Sequence, residues 1–155
     1  MLAGTLLIGC ASFKNDLVLN TVGPAPSSTV PAKSGQGTLT VYSANKVNAD
    51  FNSLDPNRRE YSDYRIFDSH RKLIKWVHNV TNDILQRPVP VELPAGKYFV
   101  AARANGYGIV TVPVIIEANQ ETVLRLGGTE WPDESAFNST NAVRLPDGEI
   151  VGWKY

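Results

Sequence analysis

The clearest pattern in the chain is a series of short hydrophobic or alternating runs across residues 91–126, separated by Gly, Pro and Asn. Such runs between turn-forming residues are typical of consecutive short antiparallel strands. Pro94-Ala95-Gly96 predicts a tight turn in which Gly96 holds a positive φ. Asn105 to Gly108, with two glycines, predicts the next corner. This stretch therefore predicts a β fold.

The same period-two alternation occurs earlier in the chain. Residues 38–44 predict the first strand of the domain, and residues 61–67 and 73–79 predict a hairpin around the polar turn at residues 68–72. The polar segment 45–59 predicts a long loop, a feature that is often functional. With about six or seven strands and no helical stripe, residues 37–127 predict an all-β, antiparallel β-sandwich.

The N-terminal residues point to membrane attachment. Leu7-Ile8-Gly9-Cys10 resembles the bacterial lipobox, in which a signal peptide is removed and the following cysteine is acylated. The resemblance implies that residues 1–9 are a truncated lipoprotein signal peptide and that Cys10 is the lipid attachment site. Residues 10–36 then form a tether or linker, rich in Pro and small polar residues towards its end, with a short strand around Leu17 as an alternative. A buried strand or a disordered tip is the alternative for the first ten residues.

The C-terminal extension, residues 128–155, contains a hairpin signal around Pro146-Asp147-Gly148. An isolated hairpin is marginally stable in water, so its aromatic side chains need something to pack against. We expect the extension to fold back and cover a sandwich edge. The alternative is a ligand platform for a sugar or a partner protein, formed by Trp131, Trp153 and Tyr155.

Composition and charge exclude several classes of function. The 15 basic and 15 acidic residues cancel, which argues against nucleic acid as a partner. The single cysteine excludes an internal disulfide or a multi-cysteine metal site, and His70 and His78 lack the spacing of a zinc pair. Asp50 and Asp55 lack the dense spacing of a calcium loop. We therefore expect no metal, no cofactor and no catalytic residues.

The three tryptophans are the side chains whose position decides between a structural and a binding role. Trp76 alternates with Ile74 and His78 on its predicted strand, and we expect it to lie in the core rather than on a binding platform. Two or more exposed, coplanar aromatic rings on one face would instead indicate a carbohydrate-binding module.

One stretch resembles a known family. Leu93-Pro94-Ala95-Gly96-Lys97-Tyr98-Phe99-Val100, then Gly106-Tyr107 and a last strand ending in Val123-Leu124-Arg125-Leu126, is similar to carboxypeptidase regulatory-like domains, which belong with the transthyretin-like sandwiches. The resemblance covers residues 37–127 and implies a non-catalytic module. Together with the lipobox, it implies a membrane-tethered structural or protein-interaction module of the bacterial cell envelope, on the outer membrane facing the periplasm. Its partners would be envelope proteins or glycans, with a carbohydrate-binding module as the alternative.

Overall fold

A computed structural model describes residues 17–45, 60–79, 87–128 and 130–155. Within these ranges the regular secondary structure is almost entirely β-strand, which accounts for about half of the residues, with one short 3-10 helix at Glu134–Ala136. The strands are β1 (Leu17–Val18), β2 (Val22–Gly23), β3 (Gln36–Tyr42), β4 (Tyr64–Phe67), β5 (Leu73–Val77), β6 (Val91–Pro94), β7 (Gly96–Ala104), β8 (Gly108–Ile116), β9 (Glu121–Arg125), β10 (Ala142–Arg144) and β11 (Ile150–Lys154).

These strands form two packed sheets, which confirms the predicted all-β sandwich. The larger sheet has the order β10-β11-β2-β8-β7-β4-β5, with β1 also paired to β8, and the smaller has the order β6-β3-β9. Apolar side chains of alternating positions fill the space between them, including Leu39 and Leu124 from the small sheet and Ile66, Val100 and Val112 from the large one. Burial of these side chains is the main source of stability.

The β7–β8 hairpin is the centre of the large sheet, with a continuous register from Gly96 opposite Ile116 to Ala104 opposite Gly108. Its turn is the one predicted, since Gly106 and Gly108 have φ values of 78° and 73°. The prediction for Gly96 was wrong. Its φ is not positive, because the chain there passes from β6 in the small sheet to β7 in the large sheet instead of folding into a tight hairpin.

The strand pairing is richer than the sequence pattern predicts. Of the eleven strands in the described ranges, β1 and β2 run parallel to β8, and β3 runs parallel to β9, so the sandwich is not purely antiparallel. The two parallel pairs with β8 arise because the N-terminal segment lies along the free edge of that strand. Two short strands there supply hydrogen-bond partners that this edge would otherwise lack.

The segment predicted as a linker differs from a free coil from residue 17 onwards. The Ala25 amide donates to the Glu121 carbonyl at 3.0 Å, and the Val30 amide donates to the Asn119 carbonyl at 3.0 Å. The Ser28 hydroxyl both donates to the Glu121 carbonyl and accepts from its amide. Because the edge of β9 and the turn before it offer unpaired backbone groups, a Pro-rich segment without an apolar pattern can still be fixed there. Cys10 lies outside the described residues.

The C-terminal extension docks on the sandwich, as expected. β10 and β11 form an antiparallel hairpin, and β11 pairs with β2, so the hairpin continues the large sheet. Val143, Leu145 and Val151 belong to the main hydrophobic core. The contact is close at Gly152, where a Cβ atom would lie 2.7 Å from a Val22 methyl and 2.9 Å from the Val123 carbonyl oxygen. This part of β11 therefore requires glycine.

Candidate functional site

The surface of the large sheet that faces away from the small sheet carries an unusual set of side chains. The register places Trp76 opposite Arg65, Arg65 opposite Ala101, Ala101 opposite Thr111 and Thr111 opposite Val18. These residues alternate with core residues along their strands, so they form one row on what we call the outer face. At about 4.8 Å between neighbouring strands, the row spans roughly 19 Å.

A second row of the outer face lies two residues away from the first along each strand. Arg103 on β7 is opposite Ile109 on β8. At the other side of the face, Asp63 Oδ2 lies 3.0 Å from His78 Nδ1, and Asp63 Oδ1 accepts from the Asn79 amide at 3.4 Å. The Asp63 carboxylate is therefore held by His78 and Asn79, the two residues that directly follow β5.

Asn79 fixes the end of β5 and, with it, the position of the outer-face rings. Its side chain is fully buried, and its Nδ2 donates to the Val41 carbonyl at 2.8 Å and to Ser43 Oγ at 3.1 Å. Its Oδ1 accepts from the Val89 amide at 2.9 Å. A buried amide whose hydrogen bonds are satisfied anchors the chain firmly, because leaving any of these groups unpaired would be costly.

Large apolar side chains are exposed on the outer face. Val18 is 55% exposed, Trp76 54% and Ile109 43%, and Leu73 is also exposed opposite Phe67. The prediction that Trp76 lies in the core was wrong. Pairing with Arg65 turns the Trp76 side of β5 outward, and among the described strands β5 is an edge strand that pairs only with β4.

Between these side chains is a shallow depression lined by Asp63, Tyr64, Arg65, Trp76, Ala101 and Ile109. Ala101 lies between larger neighbours in its row, contributes only a methyl group and is buried, so it forms the floor of the depression. The depression therefore combines an aromatic ring, an aliphatic side chain, a guanidinium and a carboxylate. Such a combination can bind a ligand by apolar contact and charge.

The cations of the outer face lie against its aromatic rings. The Arg65 guanidinium carbon is 4.7 Å from the centre of the Trp76 ring, and Lys97 Nζ is 5.8 Å from the centre of the Phe99 ring. An exposed cation over an aromatic face is held by the ring quadrupole while its N–H groups remain free for a ligand. Both contacts thus preorganise positive charge beside apolar surface.

The aromatic residues of the C-terminal extension are arranged differently. The Phe137 ring lies 4.7 Å from the Trp131 ring and 4.0 Å from the Trp153 ring, and Trp131 Nε1 donates to the Ile150 carbonyl at 2.9 Å. We call Trp131, Phe137 and Trp153 the tail cluster. Tyr155 is exposed, and its ring packs beside Gly23, which is opposite Trp153 in the register of β2 and β11.

The packing favours the fold-back interpretation over the predicted platform. Trp131 and Trp153 are only partly exposed, and Phe137 separates them as a buried spacer. Their rings are therefore occupied with one another rather than presented together to solvent. The structure does not bring Tyr155 into contact with either tryptophan, so the three predicted platform residues do not share one ring stack.

The titratable groups in the described ranges give no indication of acid–base chemistry. Burial raises the pKa of the Tyr64 hydroxyl, which lies in the core. Partial burial and the neighbouring Asp147 raise the pKa of Glu149. The described residues contain no group of three His, Cys, Asp or Glu side chains that could hold a metal. Asp50 and Asp55 lie outside these ranges.

Comparison with protein-family models, with curated proteins and with solved structures finds no match for this chain. The similarity to carboxypeptidase regulatory-like domains therefore stays a prediction. In the part of the chain that the structure describes, no helix is long and apolar enough to cross a bilayer.

Sequence reasoning missed the residues that distinguish the outer face, above all Arg65, Arg103 and Ile109. A signal was present, because Arg65 and Arg103 occupy the outward positions of otherwise apolar strands. What it lacked was the pairing of β4 with β7, which brings the two arginines onto neighbouring strands.

Proposed function

We propose that this protein is a non-enzymatic β-sandwich module of a bacterial cell envelope that docks a partner protein on its outer face. The observation that carries the proposal is the concentration of exposed Val18, Trp76 and Ile109 on one side of the large sheet. Large apolar side chains that are exposed together on one side of a sheet are typical of interaction sites. Tryptophan and arginine are also the residues most enriched among those that dominate binding energy.

The membrane tether is the second part of the proposal and rests on Cys10. Since Leu17 already pairs with Val110 of β8, residues 11–16 separate the lipid from the first described strand. A fully extended segment of that length reaches at most about 25 Å. The sandwich would thus lie close to the membrane surface. Expressed with a complete signal peptide, the protein should fractionate with membranes and the Cys10→Ser variant should not; equal membrane retention would contradict the tether.

Docking is tested by placing a photo-reactive amino acid at position 76 or 109 in cells that naturally express the protein. We expect positions 76 and 109 each to give a discrete adduct. Mass spectrometry should identify the same partner protein in both adducts. Position 154, which is exposed on β11, is the matched control and should give no such adduct. Purified chain with native Trp76 should compete with adduct formation, and Trp76→Ala chain should compete poorly. Identical labelling at positions 76 and 154 would contradict the proposal.

A carbohydrate-binding module is the second candidate, favoured by one observation. The rings of Trp76 and His78 are 23° from parallel with centroids 6.3 Å apart, on an exposed strand. Sugars stack on such surfaces. The aliphatic side chains of Val18 and Ile109 on the same face favour a protein partner, because a sugar ring needs hydrogen-bonding groups around its edge. Adducts at position 76 that contain glycan and no protein would decide for this candidate.

A further inference from the structure

The charges of the outer face indicate what kind of partner segment it accepts. We infer that the segment is an extended, acidic peptide whose carboxylates bind Arg65 and Arg103 while flanking apolar side chains pack on Trp76 and Ile109. This inference rests on the proposed docking function and specifies the chemistry of its ligand.

The first argument is that the cations of this face have no acidic partner among the residues that the structure describes. Arg65, Lys97 and Arg103 are exposed, and none of them forms an ion pair with another described residue. Arg65 contacts the Trp76 ring and Lys97 contacts the Phe99 ring, so their positions are defined without neutralising their charge. Guanidinium groups in this state can bind a carboxylate through two parallel hydrogen bonds.

The second argument is that the nearby carboxylate is already engaged. Asp63 is bonded to His78 Nδ1 and to the Asn79 amide. Among these described residues, the outer face thus carries the three cations Arg65, Lys97 and Arg103 and the single carboxylate of Asp63, which is an excess of positive charge, although the whole chain has a formal net charge of zero. An acidic partner is complementary to this face, and a basic one is repelled.

The third argument is spacing. Arg65 is opposite Ala101, and Arg103 is two residues further along β7, so the two arginines are diagonal neighbours. Diagonal neighbours on adjacent strands are about 7–8 Å apart. Alternate side chains of an extended peptide are about 6.7 Å apart on one side. Carboxylates at positions i and i+2 of an extended segment therefore match the two arginines.

Trp76 and Ile109 form the two apolar ends of the proposed peptide site. Trp76 is adjacent to Arg65, and Ile109 is adjacent to Arg103, each across one strand pair. The path from Trp76 to Ile109 through both arginines is roughly 18 Å. Four alternate residues of an extended chain span roughly 20 Å. The matching pattern is apolar-x-acidic-x-acidic-x-apolar, with the intervening residues facing solvent.

The test uses a synthetic peptide, acetyl-Leu-Ser-Glu-Ser-Glu-Ser-Leu-amide, titrated into the isotope-labelled full chain carrying Cys10→Ser. We expect its amide and tryptophan indole signals to shift around Arg65, Trp76, Arg103 and Ile109. Charge reversal by Arg65→Glu should weaken binding about tenfold or more, and Arg65→Lys should retain most of it. The matched control, Lys154→Glu, should bind like the parent. Unchanged spectra outside the face show that each variant is folded.

Several results would overturn the inference. One is equal binding of a peptide in which Lys replaces both Glu residues, and another is an equal effect of Arg65→Glu and Lys154→Glu. A third is selective binding of oligogalacturonate to the face, which would identify an acidic glycan as the ligand. If no peptide shifts the face while positions 76 and 109 still cross-link to a partner protein, the acidic pattern is wrong and the docking function stands. If cross-linking also fails, both are wrong.

Discussion

The tail cluster and Trp76 have similar chemistry and opposite surroundings. In the tail cluster, Phe137 is buried between the rings of Trp131 and Trp153, and the Trp131 indole N–H is bonded to the backbone. The Trp76 ring lies against Arg65 and His78 and leaves about half of its surface in solvent. Aromatic side chains that hold an extension in place become buried, whereas one that is exposed on an anchored strand is available for a partner.

The difference follows from the position of each region in the large sheet. The C-terminal hairpin joins the sheet through β2 and brings its own strand β10 to the edge, so its aromatic residues have two layers to pack against. β5 is the opposite edge and pairs only with β4 among the described strands. The same sheet thus has one edge covered by an extension and one edge left open beside a cationic face.

The largest expected effect on stability comes from removing the C-terminal hairpin, which covers one edge of the large sheet. A chain truncated after Gly128 loses Val143, Leu145 and Val151 from the core. Burial of each such side chain contributes about 1.5–3 kcal/mol, so the sum is comparable to the net stability of a domain of this size. We expect the truncated chain to be unfolded or aggregated, measured by circular dichroism and gel filtration. An unchanged urea midpoint would show that the hairpin is not part of the folding unit.

A pair of single substitutions makes the comparison sharper. Phe137→Ala should lower the free energy of unfolding by about 3 kcal/mol, because it leaves a gap between two tryptophan rings. Trp76→Ala should lower it by about 0.5 kcal/mol or less, because the side chain is largely exposed. Both values come from urea unfolding under identical conditions. Equal losses for the two variants would mean that Trp76 has a structural role.

The sequence pattern predicts where strands lie along the chain, but it does not always predict which side of a strand faces the core. Alternation located both strands of the β4–β5 hairpin, and the turn chemistry at Asp68 is visible in the structure, where its Oδ1 accepts from the amides of His70 and Lys72 at 2.9 Å. β5 carries apolar residues at both odd and even positions, so its pattern does not decide which side faces the core. Pairing with Arg65 decides it, and that information is not local.

The remaining differences have the same physical origin. Pro94-Ala95-Gly96 has the composition of a tight turn, yet the chain crosses between sheets there and Gly96 needs no left-handed conformation. Residues 23–37 have the composition of a linker, yet the edge of β9 offers backbone groups that fix them. Composition reports local preference, whereas free backbone groups elsewhere in the fold determine where a polar segment lies.

The sequence predicted the general type of site but not where on the molecule it lies. The sequence indicated a non-catalytic surface with aromatic residues, and it placed the aromatic residues in the extension. In the structure, the Phe137 ring lies between those of Trp131 and Trp153, and the predicted platform stays untested. The outer face depends on the register of β4 with β7, and a one-residue shift of that register would point Arg65 and Trp76 to opposite sides. Such a register is set by the whole sheet.

The last difference between the two regions is charge, and it gives the smallest expected effect. Acidic side chains outnumber basic ones in the extension, and in its turn Asp147 and partial burial together raise the pKa of Glu149, with burial as the larger cause. A carboxyl group whose pKa is higher in the folded state binds its proton more tightly there. The free-energy cost of ionising it in the fold is absent below the unfolded pKa and develops as pH rises through the folded pKa.

Glu149→Gln should therefore increase the free energy of unfolding at about pH 7.5 by a few tenths of a kcal/mol, since the site is partly exposed and screened. At a pH below about 4, where the parent carboxyl is protonated in both states, the gain should disappear. Urea midpoints at the two pH values measure this, with Glu134→Gln, an exposed carboxylate in the same extension, as the control. A Glu149→Gln variant that is less stable than the parent at about pH 7.5 would show that the ionised carboxylate stabilises the turn, and that the acidic character of the tail is structural.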